Sequence, residues 1–107
     1  MSTMEDYKEE LKRLLEVFGS NVRRARMAMD PPCSQESLSH ITALHRTEIG
    51  KIEQGEVEPR LSTLVILAAG LGVGIEQLVE GLWVPSERRP SPHAGPFSRP
   101  DQLAGGR

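Results

Sequence analysis

Apolar residues return at three- and four-residue steps through most of the chain, the spacing of helices that each bury one face. The first such run is Tyr7, Leu11, Leu14, Leu15, Phe18, Val22, Ala25 and Met29, and it ends before Pro31-Pro32. Gly19-Ser20-Asn21 breaks it with poor helix formers. The segment is therefore either one long helix strained near Gly19, the preferred reading, or two helices that meet there. Ser34 stands where an N-cap belongs, ahead of a short helix carrying Gln35, Glu36, Leu38 and Ile41. After a break around Thr42 to His45, a third helix is predicted from Arg46 to about Gln54, with Ile49 and Ile52 inward and Gly55 as its C′ stop. Leu61, Leu64, Leu67, Ala68 and Leu71 have the spacing of a fourth helix, closed by Gly70 and Gly72. Ile75, Leu78, Val79 and Leu82 mark a short fifth, with Trp83 at its end. No alternating strand pattern competes, so the expected class is all-α with five helices.

From Pro85 the composition shifts to Pro, Ser, Gly and Arg, with too little apolar surface to offset the entropy of ordering it. The expected organisation is an N-terminal helical extension over 1–17, a helical domain over 18–84 and a disordered tail over 85–107 that includes His93. With 107 residues and 4% aromatics, the core must be small and aliphatic. No stretch reaches the run of about eighteen apolar residues that a bilayer span needs, and the acidic start MSTMEDYKEELK is unlike a secretory signal. Cys33 is the only cysteine, which rules out an intrachain disulfide and fits a reducing compartment, so a cytoplasmic location is expected.

Net charge is −2, which neither demands nor excludes an anionic partner. Local surfaces decide instead. A short helix, a tight turn and a second short helix that begins with polar residues form the arrangement that sets a helix into the major groove of DNA. With Ile49 and Ile52 inward, Arg46, Thr47, Gly50 and Lys51 fall on the outward side. Arg can grip guanine O6 and N7 with two hydrogen bonds, Lys reaches the same edge, the Thr methyl packs on a thymine methyl, and Gly50 permits close approach. Glu48 is either a reader of cytosine N4 or a solvated carboxylate.

Other chemistries fare worse. Cys33, His40 and His45 lack the paired spacing of structural metal sites, so no metal or cofactor is expected. His45 fits better as a helix cap or phosphate contact. No Ser-His-Asp set, glycine-rich phosphate loop or helical His-Glu-x-x-His occurs, and an enzyme is not expected.

Taken together, Gly19-Ser20-Asn21-Val22-Arg23, Arg26, the strings SQESL and LHRTEIGKIEQG, Pro59 and the run LSTLVILAAGLGVGIEQLV resemble the Cro/repressor-type (XRE) DNA-binding domain. The resemblance spans roughly 18–82 and implies a compact five-helix, lambda-repressor-like fold. It implies phosphate contacts from Ser34, Gln35 and Arg60, base reading at the start of the third helix, and a structural ion pair between Arg26 and Glu53. Ala43 and Ser39 depart from its usual Gly and Ala, and Glu56 and Glu58 occupy a loop that is often basic. The implied function is transcription regulation on double-stranded DNA. The apolar stripes of the N-terminal extension and the fifth helix point to a homodimer, which would suit two half-sites about 34 Å apart. Ile75, Leu78, Leu82 and Trp83 are the expected dimer contacts. The stripe Tyr7-Leu11-Leu14-Phe18 either lengthens the core or pairs with another chain, and extension or tail offers a place for a protein partner. The rival reading is a protein-interaction module, such as an antitoxin or adaptor, with weak DNA binding.

Overall fold

The computed structural model describes residues 4–84. They form α1 (Met4–Met27), α2 (Gln35–Thr42), α3 (Arg46–Glu53), α4 (Leu61–Leu71) and α5 (Ile75–Leu78), with no strand among the described residues. The tail assigned to 85–107, His93 included, lies outside them.

The first helix is continuous through Gly19, and the 17/18 boundary falls inside it. Gly19 is buried where α1 crosses the carbonyl end of α3, and a β-carbon there would stand 2.7 Å from the Glu53 carbonyl carbon. Close packing of two backbones, rather than a break in the helix, explains the glycine.

Each later helix begins or ends where its local chemistry requires. Ser34 caps α2, its Oγ accepting the Ser37 N–H at 3.0 Å. At the other end Ala43 takes a left-handed conformation, φ 65°. Two hydroxyls brace this turn: Thr42 Oγ1 accepts the Leu44 N–H at 3.2 Å, and Ser39 Oγ donates to the Leu44 carbonyl. Ser39, a departure from the resembled pattern, thus has a local task. Gly55, φ 75°, follows α3 in the expected C′ role.

The core is aliphatic, with Val22, Leu38, Ile49, Ile52, Leu67 and Leu78 fully buried and Phe18, Leu71, Ala68 and Cys33 around them. α1 packs on α3 and α5, and α4 packs on α2 and α5. The fifth helix is shorter than its apolar spacing suggests. It stops at Leu78, where Asn21 Nδ2 donates to the carbonyls of Leu78 (2.9 Å) and Glu80 (2.8 Å). In the fourth helix the apolar run does not all face inward, because Leu61 is 75% exposed.

Candidate nucleic-acid interface

Burial sets the orientation of α3. Ile49 and Ile52 point into the core, so the helix must turn Arg46, Thr47 and Lys51 outward, and all three are exposed. His45 fixes where the helix starts: its Nδ1 accepts the Thr47 N–H at 3.2 Å, leaving Nε2 as the outward edge. Capping and an outward contact are therefore compatible at this residue.

An open hollow joins this face to the loop that follows. It is lined by His45, Thr47, Glu48 and Lys51 of α3 and its cap, and by Val57, Glu58, Pro59 and Arg60. Arg60 occupies the N-cap position of α4 yet makes no side-chain capping bond, and it is exposed. The base-reading and phosphate candidates from two separate stretches of sequence thus border one concavity. Arg46, at the first position of α3, stands outside that lining. Glu58 is a member of it that sequence reasoning did not assign to the site; only its place in the loop could have suggested this.

Gly50 is half-buried at the edge of the face, against α2, and not among the exposed side chains. A β-carbon there would come 3.7 Å from Gln35 Oε1, an ordinary contact, so nothing within the described chain requires glycine. Gln35 itself turns inward in part: its Nε2 donates to Glu53 Oε1 at 3.0 Å. Ser34 is exposed beside it, its oxygen engaged in the α2 cap.

Beneath this surface lies the expected ion pair. Arg26 donates from Nε to Glu53 Oε2 (2.7 Å) and from Nη2 to Glu53 Oε1 (2.9 Å), with side chains 9% and 4% exposed. Arg26 Nη1 also donates to the Cys33 carbonyl at 2.8 Å, which ties α1 to the loop before α2. The hydrogen bonds that Arg26 donates to Glu53 raise its pKa above its ordinary value, burial opposes them, and the carboxylate's charge adds to the rise. A bidentate, buried pair of this kind aligns α1, α2 and α3 behind the outward face.

The sequence pattern of the helix-turn-helix family matches residues 33–78, the stretch that carries α2 to α5. Over 64 residues the chain is 42% identical to the control protein C.SmaI of Serratia marcescens, covering 60% of this chain and 74% of that protein. The chain belongs to the helix-turn-helix family. Solved structures agree with this placement. The restriction-modification controller protein C.AhdI of Aeromonas hydrophila superposes with a TM-score of 0.56 at 31% identity, covering 60% of this chain and 94% of that one. A hypothetical transcription factor, NHTF, from Neisseria gives a TM-score of 0.56 at 35% identity over 70% of this chain and 80% of that one. In helix-turn-helix terms, α2 is the supporting helix and α3 the recognition helix.

The surface outside this face corrects one expectation. Leu78 has no exposed area and belongs to the core, so it is not available to a second subunit. Ile75, Leu82 and Trp83 remain partly exposed, and the Trp83 indole N–H donates to Glu10 of α1. A second apolar set was not anticipated. Leu61, Val65 and Ile66 are exposed on the outer side of α4, a helix without a single charged residue.

Proposed function

We propose that this helix-turn-helix chain is a transcription regulator of the cytoplasm that reads a palindromic DNA operator as a homodimer. The recognition helix enters the major groove with Arg46, Thr47 and Lys51 toward the base edges, Glu48 beside them, and Gly50 allowing a close approach. Ser34, Gln35, His45 and Arg60 contact the flanking phosphates. The observation that carries this reading is the joint exposure of Arg46, Thr47 and Lys51 on a helix whose opposite side is sealed into the core.

A second copy supplies the second half-site. A surface helix apolar on all sides ordinarily packs against something on each of them. The outer side of α4, with Leu61, Val65 and Ile66, fits a two-fold contact, and Ile75, Leu82 and Trp83 offer further apolar area. Val65→Glu is expected to leave the fold intact and convert dimer to monomer in sedimentation velocity runs. A wild-type chain that sediments only as monomer, with and without DNA, removes the dimer from the proposal.

Acidic residues favour a second reading. Exposed Glu56 and Glu58 follow the recognition helix and oppose the DNA backbone. An interaction module of the same fold, binding another protein through the extension or the tail, would suit them. Titrating random duplexes at low and moderate salt separates the two, because a DNA binder loses affinity steeply with salt. Retardation that is absent at low salt rejects the regulator reading.

A further inference from the structure

We infer that Glu53 is a positioning residue for DNA contact that acts through the amide of Gln35, an inference that rests on the reading of α3 as the recognition helix. Glu53 Oε1 receives two donors, Arg26 Nη2 and Gln35 Nε2, while Oε2 receives Arg26 Nε. With Arg26 donating to both of its oxygens, the Glu53 carboxylate only accepts hydrogen bonds. The atom of Gln35 that turns toward it must therefore be the nitrogen. The oxygen and nitrogen of a glutamine amide ordinarily exchange places with ease; here the flipped form would set Oε1 against a carboxylate oxygen.

The amide nitrogen carries two hydrogens, and Glu53 takes one. The other remains free together with Oε1, at the first position of α2 and beside the recognition helix. Across from this edge is Gly50, where a β-carbon would stand 3.7 Å from Oε1 and 4.0 Å from Nε2. Glycine leaves the amide uncovered on that side. A phosphate oxygen reaching this gap meets an N–H whose direction is already set, so the contact forms without the loss of rotamer freedom that a mobile glutamine would suffer. The buried pair then has two tasks: Arg26 joins the helices, and the spare accepting capacity of Glu53 aims a surface donor.

The test is a double-mutant cycle in DNA affinity, measured by fluorescence anisotropy on one duplex for wild type, Glu53→Gln, Gln35→Ala and the double variant. A glutamine at position 53 can accept or donate, so it no longer dictates the orientation of its neighbour. Glu53→Gln is expected to weaken binding about tenfold when Gln35 is present and less than about twofold when it is absent, the signature of coupling between neighbours. Equal losses in both backgrounds, or no loss with Gln35 present, overturn the inference.

A second measurement needs no variant at position 53. In nitrogen-15 spectra of the free wild-type protein, one of the two Gln35 side-chain amide protons is expected to exchange with water markedly more slowly than the other. Equal exchange of the two overturns the inference as well. Wild type that binds no duplex defeats the DNA reading by itself, while the exchange experiment still reports on the Gln35 amide.

Discussion

Gly19 faces the carbonyl oxygen of Ile52 so closely that a β-carbon would overlap it, so the long first helix and the recognition helix touch backbone to backbone. A methyl group at position 19 would collide with that oxygen and with the carbonyl of Glu53, neither of which can rotate away. Helix propensity alone favours alanine by about 1 kcal/mol in the middle of a helix. Overpacking of this kind costs roughly 3 kcal/mol and dominates. Gly19→Ala is therefore expected to lower the urea midpoint; a raised midpoint means that α1 does not cross α3 at this point.

The opposite sign is expected at the other helical glycine of this region. Gly50→Ala meets only the Gln35 amide, at contact distance, and leaves the backbone free of any clash. Folding stability should rise by about 0.5 to 1 kcal/mol from propensity. On the proposed reading affinity for DNA should fall, because the added methyl group would occupy the gap through which the duplex approaches. A variant that is stabilised yet binds DNA as well as wild type shows that no close approach is made there.

These two glycines also mark how far the sequence can be read. Periodicity located α1 to α4 and the inward faces of α3, because Ile49 and Ile52 admit no other arrangement once Ser34, His45 and Gly55 set the helix ends. It could not separate a glycine that packs from one that breaks a helix, since both look alike until the neighbouring backbone is known. The side that Leu61 takes was not legible for a related reason: apolar spacing identifies a stripe, but a helix apolar on all sides, such as α4, has no single stripe. Leu78 of α5 was offered as a dimer contact because spacing alone does not tell a core leucine from an exposed one. The ion pair Arg26–Glu53 came from the family pattern, whereas its hydrogen bond to Gln35 depends on three segments meeting and left no local trace.

The turn of the motif carries a removable strain. Ala43 sits at φ 65°, where a β-carbon crowds the following carbonyl and costs about 1 kcal/mol. Ala43→Gly relieves it, with part of the gain returned through the larger freedom of the unfolded chain. A modest rise in melting temperature is expected. Ser39→Ala should act in the other direction, since it removes the donor to the Leu44 carbonyl that braces the same turn. If Ala43→Gly lowers the melting temperature, the residue does not adopt the left-handed conformation in solution.

The buried pair predicts a strongly non-additive response. Arg26→Met leaves Glu53 without its two-pronged partner and should cost roughly 3 to 5 kcal/mol, as expected for a buried charge left alone. Replacing both residues by methionine removes that penalty and should recover most of the loss. The linked pH dependence has a definite sign. Because the folded-state pKa of Arg26 is raised, its contribution is complete below the unfolded value and is lost only as pH climbs through the folded one, far into alkali. Guanidinium titration should therefore add no slope to stability at neutral or acid pH. A double-variant loss equal to the sum of the two single losses in chemical denaturation would show that the two side chains do not share one buried site.

The recognition surface makes the sharpest demand, because neighbouring basic side chains in and beside one hollow are assigned different work. In the proposed binding mode Arg46 and Lys51 meet base edges, so replacing either by alanine should cost about 1 to 3 kcal/mol on the preferred site and flatten the preference at one position of each half-site. Arg60, at the start of α4 with no side-chain capping bond, is assigned to phosphate in the same proposal; Arg60→Ala should then weaken all duplexes alike and reduce the salt dependence by about one counterion. Selection from a random duplex library, followed by salt titrations on the selected site, measures both quantities on the same proteins. The division of labour fails if Arg60→Ala changes the selected sequence, or if Arg46→Ala leaves it intact. Either outcome would mean that α3 lies across the groove in another register, because the core fixes which side of the helix faces outward but not how far along the groove it sits.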